Sequence, residues 1–181
     1  MSIYLVNQIL AIGTIFGQIL IIWAIFHFCF YRKKDNFLSK FISQNGLLLA
    51  FIVALSSVFF SLFYSEFIGY EPCALCWYQR IFIYPQIVLL GIAMFKKDYG
   101  VIKYSISLSI IGGLLAGYHY FLQLGLISGL PCPAVGTSLS CSKLLVNQFG
   151  YITIPMMSLT AFSMIIVFLL FYKLEKSKKL N

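Results

Sequence analysis

Four of the five cysteines fall into two pairs whose spacing suits thiol–disulfide exchange. Cys73 and Cys76 stand in Glu71-Pro72-Cys73-Ala74-Leu75-Cys76-Trp77-Tyr78-Gln79-Arg80. Cys132 and Cys141 stand in a stretch that also holds Pro131, Pro133 and Gly136. Each pair occupies a short polar break in an otherwise apolar chain. A thiolate that attacks a disulfide moves an electron pair through a mixed disulfide, so two such pairs on one face of a membrane can pass electrons in relay. A bridge between Cys132 and Cys141 closes a short loop, stabilises little by chain entropy and is exchangeable; a purely structural disulfide is the alternative. Zinc bound by both pairs is the other alternative. The Cys-x-x-Cys spacing fits it, but the eight residues between Cys132 and Cys141 exceed a zinc knuckle, and no metal is expected. Cys29 reads as a small apolar filler in a membrane span.

Two ionisable residues lie close to this chemistry. Pro72 suits the start of a helix, whose free N–H groups and dipole favour a thiolate in the first turn, most of all at Cys76. Arg80 is one turn beyond Cys76 on the same face, where a guanidinium stabilises a thiolate or a bound anion; the bland alternative is a snorkelling interfacial arginine. His119, in Gly117-Tyr118-His119-Tyr120-Phe121-Leu122-Gln123, is an intramembrane ionisable residue and so a functional candidate; a bond to a neighbouring helix backbone is the alternative. Helix rise puts His119 roughly 10 Å and Arg80 about 5 Å below the ends of their spans, at similar depth. An arginine, a histidine and a thiolate at one level suit the polar head of a lipid-soluble oxidant. His27, far from the cysteines, reads as bland.

The elements that position these groups are membrane spans. The chain of 181 residues is 61% hydrophobic and 10% charged, and its apolar segments are continuous rather than alternating, so it reads as helical and not as a barrel. Five spans are expected: Tyr4–Tyr31, Phe41–Tyr64, Trp77–Phe95, Val101–Leu126 and Tyr151–Tyr172. Of the 13 basic residues, 11 mark three alternate boundaries: Arg32–Lys40, Lys96–Lys103 and the tail from Lys173. This positive-inside pattern puts those boundaries and the C-terminus in the cytoplasm and both cysteine loops on the extracytoplasmic side, where disulfides persist. The net charge of +8 therefore sets topology and does not point to nucleic acid. The first segment lacks a preceding positive charge and a cleavage site, and reads as an anchor helix rather than a signal peptide. Gly13 and Gly17, and Ser105, Ser109, Gly113 and Gly117, recur at fourfold spacing and suit close helix packing inside the bundle.

The chain resembles the DsbB/BdbC family of disulfide bond formation proteins. The resemblance rests on Cys73–Arg80, Tyr118–Gln123, the Cys132/Cys141 loop and Ile152-Thr153-Ile154-Pro155, and it covers about Phe41 to Tyr172. It implies a four-helix transmembrane bundle over 41–172, with an additional N-terminal span and basic loop over 1–40 and a basic tail over 173–181. It also implies a bacterial plasma-membrane location and a membrane quinone, ubiquinone or menaquinone, as electron acceptor. By this resemblance Cys76 would be the thiolate beside the quinone, and Arg80 and His119 would lie near its head. Cys132 would exchange with an extracytoplasmic thioredoxin-fold thiol oxidase (DsbA/BdbD-like), and Cys141 would pass the electrons to Cys73. The implied function is reoxidation of that oxidase at the expense of quinone. A thiol reductase running the other way, and a non-enzymatic scaffold with structural disulfides, are the alternatives. The short second cysteine loop is closer to BdbC than to longer proteobacterial members.

Overall fold

A computed structural model of the chain describes residues 3–30, 37–96, 100–127 and 141–180. Five long helices carry the fold: α1 (Ile3–Phe30), α2 (Phe37–Leu62), α3 (Ala74–Lys96), α4 (Val101–Gln123) and α5 (Ile154–Leu180). A π-helical turn, Phe63–Phe67, extends α2. All five helices are long and apolar enough to cross a membrane, so the chain is an integral membrane helical protein. The described residues form no strand, only an isolated bridge between Gln148 and Ile152.

The helix ends differ from the expected ones for local reasons. The third helix starts at Ala74 rather than Trp77, because Trp77 N–H already donates to Cys73 C=O at 3.1 Å. Cys73 is thus the cap residue and Cys76 sits in the first turn. The fourth ends at Gln123 rather than Leu126. There Gly125 takes φ +70°, Gly125 N–H bonds Leu122 C=O, and Leu126 N–H bonds Phe121 C=O. This paired glycine cap satisfies carbonyls that a helix end leaves open. The fifth starts at Ile154 rather than Tyr151, since Phe149 and Gly150 have positive φ and form a tight turn before it.

Helices α2 to α5 form the four-helix bundle, and α1 packs outside it against α5. Leu90 of α3, Ile102 of α4 and Phe162, Ile165 and Leu169 of α5 fill the core. At Gly46 of α2 the backbones of α2 and α5 nearly touch; a Cβ there would be driven into the Phe168 carbonyl. The serine–glycine row of α4 does two jobs. Ser105 and Ser109 meet α3 through the fully buried Gln86, whose amide donates to Ser105 C=O at 3.0 Å and to Ser109 Oγ at 2.8 Å. The Ser105 hydroxyl donates back to Gln86 Oε1. Gly113 packs on Phe162, whereas Gly117 faces open space. In α1, Gly17 packs against Met164 and Thr160, but Gly13 meets nothing within 4 Å.

Because successive helices alternate in direction, the start of α1, the α2–α3 connection and the α4–α5 connection share one end of the molecule, which is the cysteine end. Lys40, Lys96 and Lys103 lie toward the other. Gly46→Ala is expected to destabilise the detergent-solubilised protein by about 1–3 kcal/mol through overpacking against an unyielding carbonyl. Gly117→Ala, whose Cβ meets no neighbour, should be neutral to stabilising by up to about 1 kcal/mol. Thermal unfolding of both variants checks the contrast; equal stabilities would show that the α2–α5 approach is not tight.

Candidate functional site

The helix start of α3 builds the first half of the site. Cys73 is buried and free, and its Sγ lies 2.9 Å from Sγ of the free Cys76. Cys76 N–H donates to Cys73 Sγ at 3.4 Å, the bond that a capping side chain receives from the first helical turn. The ring nitrogen Nε2 of His119 lies 3.8 Å from the same sulfur. Sequence reasoning expected the thiolate at Cys76, yet the donors converge on Cys73. The N–H groups of a first turn point out of the helix toward the residue before it, and Cys73 occupies that place. The Cys76 thiol, the His119 ring and the Cys76 N–H together outweigh burial and hold the Cys73 thiol well below the ordinary range.

His119 is almost fully buried, four residues before the end of α4. It is nearer the cysteine end than expected, because α4 stops at the Gly125 cap. Its Nε2 lies 3.1 Å from the backbone carbonyl of Cys141. A carbonyl only accepts, so Nε2 carries the proton. At the other side of the ring, the buried Gln79 amide nitrogen donates to Nδ1 at 3.0 Å. The two partners fix one neutral tautomer, with its N–H aimed at Cys141 and Cys73. The alternative expectation for His119, a bond to neighbouring backbone, describes part of this, and that backbone is the carbonyl of Cys141.

Arg80 does not snorkel. It is buried, its Nε–H donates to Ser61 Oγ and a terminal N–H donates to Ser61 C=O, both at 2.9 Å, and its guanidinium lies 5.1 Å from the Trp77 ring centre. Ser61 stands just before the π turn, a kind of helix irregularity frequent at functional sites. Cys141 is buried and disulfide-bonded. Cys132 and the proline-rich stretch around it lie outside the described residues. Ligand atoms of Cys73, Cys76 and His119 all lie within 4.8 Å of one another. A structural zinc site needs four ligands, and a metal at Nε2 would displace its proton from Cys141.

Cys73, Cys76, Arg80 and His119 line one end of a cavity of about 480 Å³. The cavity runs along α2 from Tyr64 to Val53 and along α5 from Ile154 to Met164. It is therefore elongated, with the cysteines, Arg80 and His119 among its lining and mostly apolar side chains with a few hydroxyls along its length.

Residues 43–172 match the sequence model of the family described as disulfide bond formation protein DsbB. The chain belongs to this family. The SPbeta prophage-derived disulfide bond formation protein B of Bacillus subtilis is 46% identical over 122 residues, 67% of this chain and 81% of that protein. Disulfide bond formation protein C of Bacillus subtilis is 42% identical over 134 residues, 73% of this chain and 95% of that protein. A probable disulfide formation protein of Oceanobacillus iheyensis is 40% identical over 137 residues, 76% of this chain and 94% of that protein. No solved structure matches.

The structure adds site residues that sequence reasoning did not single out. Gln79 sets the His119 tautomer, and Ser61 holds Arg80. The signal for Gln79 was an uncharged polar residue in an apolar span beside Arg80; Ser61 had no signal, since serines recur throughout α2. One test follows from the convergence on Cys73. A thiolate exists above its pKa and is lost as pH falls through it, so alkylation of the reduced pair at Cys73 should persist into acid. Its midpoint should lie one unit or more below the ordinary value of about 8.5. Cys76→Ala removes the first donor and should raise the midpoint; mass-spectrometric alkylation profiles decide, and an unshifted wild-type midpoint would refute the hydrogen-bond account.

Proposed function

We propose that this member of the disulfide bond formation family is a membrane protein-dithiol:quinone oxidoreductase that reoxidises an extracytoplasmic thioredoxin-fold thiol oxidase. The observation that carries the reading is the shared His119 Nε2, which faces both Cys73 Sγ and the Cys141 carbonyl beside an elongated cavity. One imidazole thus brings the backbone of Cys141 to the edge of the Cys73–Cys76 pair. Family membership supports a role in disulfide formation, and the five spans support a multi-pass membrane protein. The positive-inside charge pattern supports an extracytoplasmic cysteine end and a cytoplasmic C-terminus in a bacterial plasma membrane.

In this reading the partner's dithiol attacks Cys132 of the Cys132–Cys141 bridge. The partner leaves as a disulfide, and Cys132 and Cys141 become thiols. Cys141 then attacks Cys73 of a Cys73–Cys76 bridge, and Cys132 resolves the mixed disulfide. The loop bridge re-forms and two thiols remain on α3. His119 N–H stabilises the Cys73 thiolate as it is released, and Gln79 keeps that proton at Nε2. The fit of a quinone rests on the cavity. Its volume lies within the range of small-molecule pockets, its apolar length suits an isoprenoid tail, and Arg80 and His119 would hold the head. Bound there, a quinone supplies a sink for two electrons and two protons. Arg80 keeps a fixed positive charge near Cys76, anchored by Ser61.

Anaerobic mixing of the purified protein with a reduced thioredoxin-fold oxidase and decylubiquinone should give quinone reduction that needs the dithiol partner. Cys76→Ser and Cys132→Ser should each abolish it. Arg80→Lys, which loses the two-pronged grip on Ser61, should raise the quinone KM roughly tenfold, the loss of about 1.4 kcal/mol. Folded protein that leaves quinone oxidised with several partners would sink the reading and favour a reductase or a structural role for the cysteines.

A further inference from the structure

Helix α1 lies outside the part of the chain that the family shares, since the family match starts at residue 43. In the Bacillus subtilis disulfide bond formation protein C, 134 matched residues already make up 95% of the length, which leaves too little for a helix of 28 residues. Yet in this chain α1 is fastened to the bundle at definite points. Tyr64 O–H donates to Asn7 Oδ1 at 2.6 Å, in a buried bond. Tyr151 O–H donates to Gln18 Oε1 at 3.0 Å, and Gln18 Nε2 reaches Thr160 Oγ1 at 3.4 Å. Gly17 leaves room for the Met164 and Thr160 side chains of α5, because a Cβ there would lie 2.7 Å from Met164 Sδ. Further along, His27 lies beside Trp23 and Phe171. Hydrogen bonds between membrane helices average about 0.6 kcal/mol each, so these ties matter by fixing register.

That register presents Ile9, Leu10, Gly13 and Thr14 to the same cavity that Cys76, Arg80 and His119 line. The spacing describes one face of a helix. Ile9 and Gly13 are themselves exposed, so the cavity is open along α1, and Ile12, Phe16 and Ile19 are exposed as a lipid-facing surface would be. Gly13 is the telling position. It lines the cavity, but a Cβ on it would meet nothing within 4 Å, whereas Gly17 one turn later is tightly packed. A glycine inside a helix is unfavourable by roughly 0.5–1 kcal/mol relative to alanine. Gly13 is not needed for the contact with α5; what it provides is room.

We propose that α1 is an added wall of the electron-acceptor site, and that Gly13 sets the space left for the apolar part of an isoprenoid quinone between α1, α2 and α5. This rests on the reading that the cavity takes a quinone. The side chains of α1 toward the ligand are mostly apolar, so they meet the tail side of the molecule, and Arg80 and His119 are left to its head.

The test compares full-length wild type, Gly13→Ala and Gly13→Phe in lipid nanodiscs, with decylubiquinone as probe. Binding is read by equilibrium dialysis, turnover by quinone absorbance, and the dithiol half-reaction by stoichiometric oxidation of the reduced partner without quinone. Gly13→Phe should weaken binding and raise the KM at least tenfold, with the half-reaction unchanged; Gly13→Ala should stay within threefold of wild type. A second measurement does not depend on the large substitution. Maleimide labelling of Leu10→Cys, followed at that site by mass spectrometry, should slow at least fivefold under saturating decylubiquinone. Gly13→Phe binding as tightly as wild type, or labelling at position 10 that ignores the quinone, would overturn the role of α1. Wild type that neither binds nor reduces the probe would overturn the quinone reading itself, and this inference with it.

Discussion

The neutral imidazole of His119 is where the architecture converges. It sits where water is scarce, so each of its nitrogens must find a partner. Gln79 supplies one from α3, and the Cys141 backbone supplies the other from the segment before α5. The consequence is a fixed N–H directed at Cys73, with the loop cysteine held against the same edge of the ring. With the Gln123 amide donating to the Lys143 carbonyl, that bond ties the segment carrying Cys141 to the end of α4. The His119 ring thus touches both the Cys73 sulfur and the segment that carries Cys141.

The same logic governs Arg80 and Gln86. Arg80 is buried close to the cysteines, and Ser61 answers it with both a hydroxyl and a carbonyl at the point where α2 passes into its π turn. Gln86 is buried between α3 and α4 and is matched by Ser105 and Ser109. In hydrocarbon an unmatched amide is expensive, so such residues act as registration marks between helices that apolar packing alone would allow to slide. Gln86 fixes the α3–α4 seam; Gln79 and Arg80, one or two turns nearer the cysteine end, aim the chemistry.

Gly46 brings α2 and α5 into backbone contact, while nearer the cysteine end Val53, Ser57 and Phe60 of α2 and Ala161 and Met164 of α5 line the cavity. Helix α1 packs on α5 beside it and reaches the π turn through Tyr64, so a helix outside the shared four-helix unit becomes part of the cavity lining.

The sequence by itself determined a good deal. Continuous apolar segments separated by charged or cysteine-bearing breaks specify five helices, because an apolar stretch of that length has no other stable state in lipid. Cys73, Cys76, Arg80 and His119 were legible as candidates because ionisable and thiol groups are rare and costly in such segments, and the structure gathers them around one cavity. Local signals also set the helix ends, although the Gly125 cap and the Phe149–Gly150 turn shifted them by a few residues. Only the tertiary structure decided which sulfur collects the donors, that Ser61 and Gln79 support the site, and that α1 lines the cavity. Those facts depend on which face of each helix meets its neighbour. Helices that are apolar all round leave almost no amphipathic stripe to announce it, so the orientation is chosen by small residues and buried hydrogen bonds between segments distant in sequence.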